Sequence, residues 1–215
     1  MKKIKKMTVF ASAMCLCLAM ATGCGNSKSS SATEKTDDIE NALDVLAETI
    51  NDKDIESFLN VSLPNKTADG FTLFLEHETQ QEGVDLDFVE EGFFKVMGEE
   101  LGFGDDIDFT GYDVANESPE YTDEYILRVS AFINLAETDD LENFNWDSLE
   151  DNDSVKPAFS MEKPILIKAH TSGGDDAPIL VYDVNGEGMK ADLFLYPSVA
   201  GFEKRQQQRQ QLKYN

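Results

Sequence analysis

Histidine, cysteine and basic residues are scarce in this chain. Its 215 residues include two histidines, His77 and His170, one tryptophan, three cysteines, and 18 Lys+Arg against 42 Asp+Glu. All three cysteines (Cys15, Cys17 and Cys24) fall in the first 24 residues, so a disulfide framework is excluded for everything that follows. A zinc centre needs several converging ligands, and without HExxH or a later cysteine the two histidines have no evident co-ligands. No GxSxG nucleophile elbow occurs, and Ser172-Gly173-Gly174 reads as a turn. The following Asp175-Asp176 would repel a phosphate, and the lysine of a phosphate loop is missing. A formal charge of −24 sets the chain against phosphate backbones and anionic lipid headgroups, which excludes nucleic acid as a partner. The apolar run Met7–Ala21 is 15 residues long, short of the roughly 20 that span a hydrocarbon core.

That run follows Lys2, Lys3, Lys5 and Lys6, the basic-then-apolar order of a secretory signal. It closes on Ala21-Thr22-Gly23-Cys24. These four residues resemble the lipobox of bacterial lipoprotein precursors, with alanine where leucine is commonest. Cys15 and Cys17 follow bulky Met14 and Leu16 and fit the motif poorly. The resemblance implies cleavage between Gly23 and Cys24, a diacylglyceryl group on the Cys24 sulfur, and an extracytoplasmic, membrane-anchored protein. Two acyl chains on one residue supply the two signals that stable anchoring needs. The mature chain would have 192 residues and a formal charge of −28, with Cys24 its only cysteine.

Residues 1–23 are then the signal, 24–38 the lipidated cysteine and a polar tether, 39–200 one α+β domain, and 201–215 a polar tail that frays. In DDIENALDVLAETI, Ile39, Ala42, Leu43, Leu46 and Ile50 recur at helical spacing behind Asp37 and Asp38. Asn51-Asp52 interrupts, and Ile55, Phe58 and Leu59 mark a short second helix. Residues 67–79 fit either period and are assigned to a helix. Leu86, Val89, Phe93, Val96, Met97 and Leu101 form one more stripe, ending at Gly102.

From Asp105 the expected period is two. DIDFTGYDVA is read as a strand kinked at Gly111, with Pro119 in a loop before EYILRVSAFINLA. In that second run Tyr125, Leu127, Val129, Ala131, Ile133 and Leu135 alternate as in a strand. The acidic insertion 137–157 has room for a short helix. KPILIKAHT, APILVYDV and MKADLFLYPSV read as further strands, the last two joined at Asn185-Gly186, a strong hairpin signal. The expectation is helices packed on one face of a curved, mostly antiparallel sheet of about five strands. This order is similar to the cone-shaped NTF2-like domains of small bacterial lipoproteins, a likeness of topology without signature residues.

Chemistry is thinly marked. Asp105, Asp106 and Asp108, Asp139 and Asp140, Glu150, Asp151 and Asp153, and Asp175 and Asp176 are acidic clusters, but none has EF-hand spacing. His77 and His170 are read as two unrelated surface or boundary histidines, QQQRQQ as a low-complexity tail, and no metal or cofactor is expected. Tyr112, Tyr182 and Tyr196 are candidates for the lining of a concave pocket, with polar-tipped core residues as the plainer reading. The sequence therefore points to a lipid-anchored binding or interaction protein for an envelope protein, a peptide or a small molecule. An NTF2-like enzyme with a buried Asp–Tyr acid–base pair is the alternative, and an auxiliary structural lipoprotein the third.

Overall fold

The computed structural model describes residues 36–101, 106–149, 155–174 and 176–213. Cys24, the signal and most of the expected tether lie outside these residues. Helix α1, Thr36–Asn51, buries Ile39, Leu43, Leu46 and Ile50, the stripe its spacing predicts. Asp37 and Asp38 stand in its first turn, where negative charge favours the positive helix end. Asp54 then caps α2, Ile55–Ser62, by accepting the Ser57 N–H at 3.0 Å. That bond, with the Ser57 hydroxyl, holds the Asp54 carboxyl below its ordinary range. Pro64 precedes α3, Asn65–Glu82, so the ambiguous segment is helical, and Gly83 ends it in the left-handed conformation at φ 61°. Helix α4 is Leu86–Leu101, with Phe93, Phe94 and Met97 buried.

The helices meet around an aromatic nucleus. Phe58 of α2 has its ring centroid 5.6 Å from Phe93, 5.8 Å from Phe94 and 5.4 Å from Phe194. Phe71 of α3 sits 5.0 Å from Phe132. Burying each such side chain contributes on the order of 2–3 kcal/mol. A glycine lets the backbones close in: a Cβ at Gly70 would lie 1.9 Å from the Phe132 carbonyl oxygen. Only glycine fits there without moving a helix.

Phe132 belongs to an element that the alternation misassigns. EYILRVSAFINLA is not a strand but most of α5, Thr122–Ala136. Its second half is buried almost without a break, with Val129 through Ile133 and Leu135 all buried. A helix enclosed on most sides hides its own period, because apolar residues then satisfy both templates. The acidic insertion does hold short helical segments, two 3₁₀ turns at Leu141–Asn143 and Trp146–Leu149. Residues 150–154, which hold the Glu150, Asp151 and Asp153 cluster, lie outside the described residues.

Four strands form one antiparallel sheet in chain order: β1, Phe109–Asn116; β2, Glu162–Thr171; β3, Asp176–Val184; and β4, Gly188–Asp192. The expected fifth strand is α5, and the expected last strand is cut short. After Asp192 the chain turns into α6, Leu195–Lys213, so the tail read as fraying is helical through Lys213. Pro197 is tolerated because it falls in the first turn. Register places Ile167, Ala169, Ala177, Ile179, Val181 and Ala191 on one face, all buried. Leu180, Tyr182, Lys190 and Asp192 on the opposite face are buried too. The sheet is thus covered on both sides over β3 and β4, not on one side as expected. Helix α1 touches both edge strands, β1 and β4, and so crosses the sheet. Asn51 at its end donates to the Ile107 carbonyl at 2.9 Å and accepts the Ile107 N–H at 2.8 Å.

Candidate functional site

Where α1, α2 and the β3–β4 turn meet, they leave a cleft of about 500 Å³. One wall is the start of α1 with Asp38, Asn41, Ala42 and Val45. The second is Asn60 and Val61 at the end of α2, and the third runs from Asp183 through Lys190. The turn is the expected Asn185-Gly186, with Gly186 and Gly188 at φ 84° and 86°. Both conformations favour glycine. Asp183 and Met189 are register partners just before and after the turn, and with Glu187 they line the cleft. Apolar Ala42, Val45, Val61 and Met189 alternate with the carboxylates and the amides of Asn41 and Asn60.

Lys190 forms the inner end of this cleft, and its charge is already spent inward. Its ammonium donates to the Asn60 carbonyl at 2.8 Å and to Asn65 Oδ1 at 3.0 Å, with Glu187 Oε2 at 3.4 Å. Burial pulls its pKa below the ordinary value, and Glu187 works against that. Glu187 also accepts the Asn65 N–H at 2.7 Å, tying the turn to the start of α3. Asp38 and Asp183 have no such ties: among the described residues neither side chain has a hydrogen bond or an ion pair. The cleft therefore presents two free carboxylates, two free amides and an apolar floor.

The three candidate tyrosines do not line one pocket. Tyr112 is half-buried on the β1 face shared with Ala169. Tyr182 is fully buried on the opposite face, and Tyr196 lies in α6, donating to the Glu120 carbonyl at 2.6 Å. Tyr182 and Tyr196 are instead gathered by Tyr125 of α5, whose ring is 5.9 and 5.8 Å from theirs. The Tyr125 and Tyr182 hydroxyls are 2.9 Å apart, and Tyr182 donates on to the Ser62 carbonyl. Beneath them Asp192 accepts the N–H groups of Phe194, Leu195 and Tyr196 at 2.9, 2.9 and 3.0 Å. Burial pushes its carboxyl up to about 6, against those bonds and Tyr125, and drives the Tyr125 and Tyr182 hydroxyls well above their usual range. An Asp–Tyr pair exists, but it is enclosed in the core as the cap of α6.

The histidines are apart, as expected. His77 of α3 stacks on Trp146 with ring centroids 3.6 Å apart. His170 of β2 lies between two carboxylates, Asp176 at 2.8 Å and Asp113 at 3.5 Å. Lys168 reaches Asp176 at 2.8 Å, and Lys168 first, then His170, holds that acid below its ordinary range. All four side chains are more than a third exposed. Among the described residues no group of three or more His, Cys, Asp or Glu is placed to hold a metal ion. No described helix is long and apolar enough to cross a membrane. The sequence reading missed the cleft, whose signal was the hairpin turn beside the helix stripe; Tyr125 was hidden by the misread segment. Compared with known proteins, the chain gives no significant match to a family model, a curated protein or a solved structure.

Proposed function

We propose that the chain is a lipid-anchored binding protein of the extracytoplasmic face of a cell membrane, attached through Cys24, and that its partner occupies the α1–α2–hairpin cleft. The cleft carries the reading: about 500 Å³ falls within the size of ligand sites, and the lining mixes apolar floor with a few polar groups. The lipobox-like Ala21-Thr22-Gly23-Cys24 supports the anchor. The two features also meet along the chain. Asp38 of the cleft is 14 residues beyond Cys24, and a fully extended chain of that length spans at most about 50 Å. The bound partner would therefore be close to the bilayer.

The anchor is tested by growing cells with labelled fatty acid. Wild-type chain takes up label and loses residues 1–23, whereas Cys24→Ser stays unlabelled and unprocessed. A labelled, processed Cys24→Ser product would sink the attachment. The NTF2-like enzyme reading has its residue types in Asp192, Tyr125 and Tyr182. Their burial and their bonds to the α6 backbone favour a structural part in the fold.

A further inference from the structure

We infer that the cleft takes a basic peptide segment, a lysine or arginine side chain lying along Val45, Val61 and Met189 with its cation between Asp38 and Asp183. The inference rests on the binding reading above and gives that cleft its ligand class. Charge is the first argument. Of the four charged side chains lining it, Lys190 and Glu187 face one another and are held by Asn60, Asn65 and the α3 backbone. Among the described residues the unpaired remainder is Asp38 and Asp183, both negative, and no other described cation lines the cleft to compete with an incoming one. Shape is the second. Ala42, Val45, Val61 and Met189 offer surface to the methylene stem of a long basic side chain, which packs well on apolar walls. The amides are the third. Asn41 and Asn60 each present an amide donor and acceptor without a partner among the described residues, the pair of functions a peptide main chain can use. A free polyamine has cations and methylenes but no carbonyl to receive those donors, so a peptide fits the whole lining.

Because the whole chain is acidic, any basic probe will be attracted to it, and the test separates site from field. The full chain is titrated with a labelled hexapeptide of alternating Lys and Leu, at about 0.15 M salt where long-range attraction is screened. Asp38→Asn with Asp183→Asn should weaken binding about tenfold. Asp69→Asn with Asp87→Asn removes the same charge from exposed positions elsewhere and should change it less than about twofold. Val45→Lys, at a position already more than a third exposed, should compete for the carboxylates and weaken binding comparably. Circular dichroism melts verify that each variant folds. Equal losses in both double variants would overturn the proposal, as would spermidine binding as tightly as the peptide. An uncharged Gln–Leu peptide that binds better and is still displaced by Val45→Lys would overturn the ligand class and leave the cleft as a binding site. No response to Val45→Lys with any of these probes would overturn both.

Discussion

The sheet carries two polar groups on one face, and they behave as opposites. Toward one edge Asp113, Lys168, His170 and Asp176 reach across β1, β2 and β3, each more than a third exposed. At the other, Asp192 lies fully buried under Tyr125 and Tyr182. The exposed group has the residues that look reactive in a sequence: a histidine between two acids with a lysine beside them. The buried group looks like nothing, one aspartate at the end of a hydrophobic strand. Yet water competes for every bond in the first, and exposed ion pairs stabilise by about 0–1 kcal/mol. In the second, three backbone N–H groups have no other acceptor among the described residues, and leaving a buried donor unmet costs about 1–3 kcal/mol. Burial, not residue type, decides which of the two the fold depends on.

Three measurements break or sharpen that contrast. Asp192→Ala should lose about 4 kcal/mol in urea unfolding at pH 5, because the entrance to α6 loses its acceptor. A loss under about 1 kcal/mol would mean that water or a backbone shift replaces the carboxylate. The next effect is in pH. The Asp192 carboxyl stands near 6 when folded and at 3.8 when unfolded, so between those values the folded chain holds the extra proton. Stability from this group is therefore complete below 3.8 and lost as pH rises through 6, a change of about 3 kcal/mol. Unfolding midpoints from pH 4 to 7 should fall for wild type, and this component should vanish in Asp192→Asn; an unchanged slope in the variant would assign it to other acids. Smallest is His170→Ala, expected to shift stability by less than about 0.5 kcal/mol. A loss above about 2 kcal/mol would make the exposed group structural after all.

Much of the frame is legible in the residues. Ile39, Leu43, Leu46 and Ile50 mark α1, and Asn185-Gly186 marks the hairpin, because each depends on local spacing or local φ. Helix α5 is not legible by alternation, since Tyr125, Val129 and Phe132 sit among other buried residues. Asp123 and Glu124 at its first turn were the better sign, acids where a helix prefers them. The end of β4 is equally obscure: DLFLYPSV reads as strand until Asp192 is seen turning back to cap α6. Of the site, the turn between Asp183 and Lys190 could be read, but not that α1 returns beside it. The helices come to that turn through contacts between residues more than a hundred apart: α1 packs on β4, Lys190 bonds Asn60 of α2, and Glu187 bonds Asn65 of α3.

The pair of bonds from Asn51 to Ile107 has one more consequence. A side-chain amide that donates to and accepts from a single residue's backbone offers what a neighbouring strand would offer. The approach to β1, an edge of the sheet, is thus already answered by a helix. Further along, its pairing with β2 is irregular at Phe109–Gly111 and again at Val114–Asn116. Edge strands that are long, flat and unsatisfied recruit strands from other molecules. Here the rim is interrupted at intervals and plugged at its start, so it makes a poor template for a second copy of the chain. Where copies of the chain crowd together, this would keep neighbours from growing into a continuous sheet.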